Sequence, residues 1–242
     1  MTNTNSGSHP ALEVETLGFK YGGADGFAIS VPALRLGAEE QILLTGGSGT
    51  GKSTLLQIIA GLFNPDRGSV RVSGRDMHSM HGAARDRFRG AHIGMIFQTF
   101  NLLQGFTAKE NVLAALMFSG VARSEHQERA SDLLKKLGIA RMDAPVESLS
   151  VGQQQRVAVA RAVACKPALV LADEPTASLD PENSASAIEL IQTACREAGA
   201  ALLCTSHDPA MRGRFGRVES LENLRSGAAS GAESRIGAGV GS

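Results

Sequence analysis

Two hydrophobic rhythms alternate along the chain. Three short runs are apolar without a break: QILLTGG at 41–47, PALVLADE at 167–174 and AALLCTSH at 200–207. A strand with one wet face alternates apolar and polar residues, whereas a strand covered on both faces does not. These runs therefore predict strands inside a parallel sheet. Helical spacing follows them at about 52–61, at 181–198 and, briefly, near 208–214. The middle of the chain, about 101–165, carries helical stretches in succession: AKENVLAALMFSG, SEHQERASDLLKKLG and LSVGQQQRVAVARA. Helices without intervening strands predict a helical subdomain inserted in an α/β core. Along the last stretch and just beyond it, Val157, Ala160 and Ala164 form a stripe for packing. Short alternating pieces such as GSVRVSG, within about 11–36 and 68–74, predict an antiparallel patch. The expected domain spans 11–225, between a polar tail at 1–10 and a Gly/Ala/Ser-rich tail at 226–242.

Composition adds mainly exclusions. With 242 residues, 43% hydrophobic and 20% charged, the chain reads as one folded domain. Lys+Arg and Asp+Glu are equal at 24 each, so there is no basic footprint for nucleic acid. Cys165, Cys195 and Cys204 form no CxxC pair and read as buried, reduced thiols. The start MTNTNSGSHP has no apolar signal segment, and no run approaches the ~18 apolar residues of a membrane span. The chain is expected to reach a membrane only by docking on a protein that spans it. His9, His78, His81, His92 and His126 lie in no chemical context, and Lys135–Lys136 reads as a solvated helix end.

The strand ends change the picture. Residues 46–53, GGSGTGKS, match G-x-x-x-x-G-K-[ST] between an apolar strand and a helix. Gly46, Gly47, Ser48, Gly49, Thr50 and Gly51 let the backbone wrap an anion, and successive N–H groups with the helix end hold α- and β-phosphates. Lys52 is placed for the β/γ-phosphates, Ser53 for Mg²⁺, and Thr54 continues the cradle. ALVLADEPTASLD at 168–180 supplies Asp173, a Mg²⁺ partner, and Glu174, placed to polarise an attacking water. Ligands of open α/β sheets bind at the carboxyl ends of strands, so Gly46, Asp173, Glu174 and His207 are expected on one rim. That pairing suits hydrolysis better than transfer to a small acceptor.

With these motifs in place, the sequence resembles the ATP-binding cassette (ABC) ATPases. The stretch Leu149, Ser150, Val151, Gly152, Gln153 resembles their LSGGQ signature, and five motifs fall in the family's order across about residues 11–224. The resemblance implies a P-loop NTPase fold: a RecA-like core, an antiparallel β patch and an inserted helical subdomain. It also implies ATP and Mg²⁺ as ligands, and a head-to-tail homodimer. In that dimer Ser150, Gly152 and Gln153 of one copy face the γ-phosphate held by the other. Ser150 is placed to cap its helix, and a helix N-terminus favours an anion. Val151 departs from the family by replacing the first glycine; its branched side chain restricts the backbone, and activity is still expected. Tyr21 resembles the aromatic that stacks on adenine, with a core aromatic as the rival reading. Gln98 resembles the glutamine that joins Mg²⁺ and the attacking water to the membrane partner. Ser178 and Asp180 resemble the loop that crosses the dimer interface, and also form a capping turn before Pro181. His207 resembles the switch histidine on the γ-phosphate.

The implied function is an ATP-hydrolysing subunit that powers a transmembrane permease from the cytoplasmic face of the inner membrane. QTFNLLQGFTAKENV and SVGQQQRVAVARA look most like the ATPases of lipoprotein-releasing and macrolide-exporting systems and their cell-division relatives. Amino acid importers come next. A cell-division regulator of wall hydrolases and a soluble ATPase acting on DNA or ribosomes are the other readings. Phe97, Phe100, Leu102, Leu103 and Phe106 make the region after Gln98 unusually apolar, as a docking surface or as core.

Overall fold

The computed structural model describes residues 9–22, 28–177 and 179–226. Along the chain run β1 (Leu12–Phe19), β2 (Ile29–Leu36), β3 (Gln41–Thr45), α1 (Lys52–Ile59), β4 (Arg67–Val72), β5 (Arg75–Asp76), α2 (Ala83–His92) and β6 (Ile93–Ile96). Then follow α3 (Ala108–Leu116), α4 (His126–Lys136), α5 (Val151–Val163), β7 (Leu169–Asp173), α6 (Pro181–Ala198), β8 (Ala201–Ser206), β9 (Arg217–Ser220) and α7 (Leu221–Ser226). The five-stranded sheet has the order β6-β7-β8-β3-β9 and its pairs are parallel. The four-stranded sheet, β2-β1-β4-β5, is antiparallel. A parallel core sheet with an antiparallel patch and an inserted helical subdomain is the arrangement that the motif order implies.

The uninterrupted apolar runs form the centre of the parallel sheet because both faces are covered. Ile42, Leu44, Leu169, Leu171, Ala201 and Leu203 pack toward α1 and the antiparallel sheet. Leu43, Val170, Ala172, Leu202 and Cys204 pack on the other face with α5 and α6. Each such buried branched side chain stabilises the fold by about 1.5–3 kcal/mol. A third cluster fills the helical subdomain. Helix α5 belongs to two layers: Val159, Ala162 and Val163 face the sheet, while Val157, Ala160 and the C-cap residue Ala164 face α3 and α4. It lies so close to β6 that a Cβ on Gly94 would sit 2.1 Å from the Ala162 carbonyl oxygen.

Several elements differ from expectation. The sheet has two further strands, β6 and β9, of four residues each. Both are edge strands, and neither carries an unbroken apolar run: β6 contains Gly94 and β9 alternates with charge. Helix α2 escapes the pattern because Phe88 alone among its residues is buried. The short helix near 208–214 is a 3₁₀ segment, Pro209–Arg214, started by Pro209 and by the Asp208 carboxylate accepting the Ala210 N–H at 2.8 Å. Helix α7 runs to Ser226, where the expected C-terminal tail begins. Cys195 and Cys204 are buried, whereas Cys165 is only partly so. Burial pushes the Cys195 thiol up to about 12. Among the described residues no helix is long and apolar enough to cross a membrane.

Candidate active site

The loop after β3 is shaped for close approach. Gly51 has φ 97°, and a Cβ there would collide with Ile29 Cδ1 at 2.3 Å, so glycine is required at the start of α1. Helix α1 has no side-chain cap and no acidic residue in its first turn, which leaves its N–H groups and positive end to a ligand. Lys52 is 5% exposed, and its ammonium donates to the carbonyls of Gly46 at 2.8 Å and Gly47 at 3.0 Å. Thr50 Oγ1 donates to the Gly47 carbonyl at 2.8 Å, closing the loop on itself. Ser48, Gly49 and Ser53 are exposed along it. Thr54 is buried and shares a hydrogen bond with the hydroxyl of Tyr21, whose ring is half-exposed and stands edge-on to Phe19 at 5.1 Å.

Sheet register brings the second half of the site to the same rim. Thr45 pairs with Ser206, and Asp173 pairs with Thr205, so β3, β7 and β8 end level. Glu174 stands one residue past β7 in the left-handed region, φ 46°. One carboxylate oxygen, Oε1, lies 3.1 Å from Lys52 Nζ; the other, Oε2, is hydrogen-bonded to Nδ1 of His207. Lys52, Glu174 and His207 thus form one connected chain of charged and hydrogen-bonded groups at the mouth of the loop. Thr205, fully buried, holds its base. Its hydroxyl donates to Asp173 Oδ1 at 2.9 Å and accepts the Glu174 N–H at 3.0 Å. Sequence reasoning missed Thr205; the available signal was its place two residues before His207 on a strand paired with β7.

The remaining residues lie around this centre. Gln98 is exposed two residues past β6, whose Ile96 pairs with Ala172, so it belongs to the rim of Asp173. The loop after it is strapped to α5: the Arg161 guanidinium donates to the carbonyls of Asn101 at 2.6 Å and Phe100 at 2.7 Å. The buried Asn111 side chain clasps both backbone groups of Leu103. Both residues also went unrecognised in the sequence. Phe100 and Leu102 are core, while Leu103 and Phe106 are exposed and Phe97 is half-buried, which divides the apolar stretch between the two readings.

Ser150 caps α5: its Oγ accepts the Gln153 N–H, and the Gln153 side chain accepts the Ser150 N–H, a reciprocal box. Val151 takes the first helical position, where a branched residue is not strained, and its side chain is 54% exposed. Gly152 is exposed, and a Cβ on it would meet nothing within 4 Å. Asp180 caps α6 by accepting the Asn183 N–H at 3.0 Å, the capping turn expected before Pro181. Ser178 lies outside the described residues.

The sequence profile of the ABC transporter family matches residues 31–177. The chain belongs to the ABC transporter family. This ABC cassette is an ATP hydrolase of the α/β P-loop fold, and the glycine-lined loop with its uncapped helix and buried Lys52 fits a nucleotide's phosphates. Its relatives include the lipoprotein-releasing system ATP-binding protein LolD of Chromohalobacter salexigens, 37% identical over 86% of this chain and 88% of that one. The protein of that name from Geobacter metallireducens is 43% identical over 77% of this chain and 83% of its own. Among solved structures, the ATP-binding cassette MJ0796, a dimer in a post-hydrolysis state bound to ADP and Pi, superposes with a TM-score of 0.75. It is 30% identical, over 86% of this chain and 93% of that one.

Proposed function

We propose that this cassette hydrolyses ATP in a site completed by a second copy of the chain, and that it drives a membrane permease of the lipoprotein-releasing type. The observation that carries the reading is the connected Lys52–Glu174–His207 chain at the mouth of the phosphate loop. The backbone of Gly46, Gly47, Ser48, Gly49, Thr50 and Gly51, with Thr54, cradles the phosphates. Lys52 exchanges its carbonyl and carboxylate acceptors for β/γ-phosphate oxygens. Glu174 accepts a proton from the attacking water. His207 orients Glu174 and reaches the terminal phosphate, and Gln98 orients the water from the β6 side. Tyr21 supplies a ring face for adenine.

Ser53, Asp173 and Gln98 are oxygen donors that would hold Mg²⁺, a hard cation commonly bound by one or two protein groups plus phosphates; bound there, it would supply positive charge to offset that of the phosphates. In the second copy, Ser150, Gly152 and Gln153 face this γ-phosphate, and Ser178 and Asp180 cross the interface. The open space around Gly152 supports that reading, because among the described residues nothing lies within 4 Å of a Cβ placed there. ATP bound by both partners favours closure, and hydrolysis with phosphate release removes that preference.

Residues 11–225 form the cassette, with the helical subdomain at about 101–165 and tails on either side. The membrane partner docks in the groove of about 490 Å³ lined by Phe97, Asn101, Phe118 and Arg161. Exposed Leu103, Phe106, Met117 and Phe118 support that placement. The cassette then sits peripherally on the cytoplasmic face of the inner membrane, touching it only through the permease, with no role for nucleic acid. The LolD relatives support the subgroup. Titration of the purified chain with a fluorescent ATP analogue tests the site. Lys52→Ala is expected to weaken binding about 10- to 100-fold, the loss of charge-assisted hydrogen bonds. Unchanged affinity contradicts the assignment.

A further inference from the structure

The last described helix lies on the phosphate loop. Strand β9 runs beside β3, so α7 emerges at the rim where the loop begins. Leu221 is fully buried and anchors the helix. Glu222 then accepts the Gly47 N–H at 3.3 Å and the Ser220 hydroxyl at 2.6 Å. The Ser220 hydrogen bond, followed by backbone amides and the nearby Arg225, holds the Glu222 carboxyl below the ordinary carboxylate range. Arg225 donates to the carbonyls of Thr50 and Ala28.

These two contacts fall on functionally opposite groups. The carbonyl of Thr50 and the N–H of Gly51 belong to one peptide unit. A cation on that oxygen polarises the unit and makes the N–H, at the start of α1, a stronger donor to an anion. Glu222 does the reverse. It brings a negative charge to Gly47, whose own carbonyl holds the Lys52 ammonium at 3.0 Å. A carboxylate at that end of the loop opposes the phosphates that Lys52 is placed to receive.

We propose that Glu222 and Arg225 are positioning residues of the phosphate loop that act on nucleotide affinity with opposite signs, Arg225 strengthening the cradle and Glu222 restraining it. The inference rests on the loop's being the ATP site. It makes α7 a means by which the C-terminal segment sets how tightly ATP is held.

The test is equilibrium binding of ATP and ADP to the full chain and to Glu222→Gln, Arg225→Ala and Arg225→Lys, with thermal melts and saturating turnover. Glu222→Gln keeps an acceptor for Gly47 but removes the charge. It is expected to tighten ATP binding about two- to fivefold, and ADP binding less because ADP carries one charge fewer. The gain shrinks in concentrated salt. Arg225→Ala is expected to weaken both nucleotides about five- to tenfold, with Arg225→Lys between it and the parent because lysine keeps the charge but not the planar geometry by which Nη2 reaches both carbonyls. Turnover at saturation stays within about twofold, since a uniform binding change moves KM rather than kcat. A merely structural α7 would make both positions shift affinity in the same direction. That result, or unchanged affinity in Glu222→Gln and in Arg225→Lys with a parental melt, overturns the proposal. If the parent chain itself binds no nucleotide, the reading of the loop falls and this inference with it. If the parent binds and the variants fail to diverge, the role of α7 alone falls.

Discussion

Thr205→Val asks whether one buried hydroxyl holds Asp173 and Glu174, the carboxylates proposed to hold Mg²⁺ and to accept the water's proton. The two side chains are nearly equal in volume, so the swap leaves no cavity on the fully buried strand β8. It removes the donor to Asp173 Oδ1 at 2.9 Å and the acceptor of the Glu174 N–H at 3.0 Å. A hydrogen bond to a charged group contributes about 1.5–3 kcal/mol, and an unpaired buried N–H costs about 1–3 kcal/mol. Because the two losses share one hydroxyl, about 2–4 kcal/mol of destabilisation is expected, or roughly 4–16 °C in melting temperature for a chain of this size. The larger consequence is for chemistry. Glu174 sits at φ 46°, a conformation disfavoured for a residue with a Cβ, and its own amide loses its partner. A shift of the carboxylate by about 1 Å lowers turnover about 10- to 100-fold, while ATP affinity, set by the loop and Lys52, stays within about twofold. Thr205→Ser keeps the hydroxyl and restores turnover. The assays are urea unfolding, nucleotide titration and phosphate release. A valine variant with parental stability and parental kcat would show that the Thr205 hydroxyl does not hold these groups.

Two further outcomes follow. Ser150→Arg removes the cap of α5, for about 1 kcal/mol, and places a bulky cation where the partner's phosphate is received, so hydrolysis is abolished while the single chain's ATP affinity is retained; loss of that affinity would place the signature in its own chain's pocket. Burial, then Arg85, holds His78 below its ordinary value of 6.5, and its ring bonds the Ile58 carbonyl at 3.1 Å. The unfolded chain therefore takes up the proton first, and stability falls as pH drops below 6.5 toward the folded value. Denaturation midpoints at pH 7.5 and 5.5 measure this, and His78→Gln flattens the difference.

What the sequence revealed and what it hid follow from one distinction. Features set by near neighbours were legible. The unbroken apolar runs give β3, β7 and β8 because burial on both faces removes alternation, and helical spacing with the capping turn at Asp180 gives α6, which the structure shows ending at Gly199. Ser150 was read as a cap because capping is local, and Gly46, Asp173, Glu174 and His207 were placed on one rim because parallel strands end together. Features set by distant partners were not. Thr205 matters only because β8 pairs with β7, and Arg161 only because α5 returns to residues about 60 positions earlier. Glu222 and Arg225 touch a loop about 175 positions away. Strands β6 and β9 lie at sheet edges, where half-polar sequences suffice. Val151 looked restrictive by residue type, yet at a first helical position its dihedrals are ordinary ones.

In the proposed reaction ATP is held between two copies of the chain. Val151, half-exposed at the tip of α5, is the place to test it. A photoreactive side chain is introduced at position 151 of the Glu174→Gln variant. Heavy-isotope and light chains are mixed, loaded with ATP and irradiated. ATP-dependent adducts are expected in which position 151 of one isotope is joined to residues 46–54 of the other. Adducts confined to single chains, or the same yield without nucleotide, would contradict it.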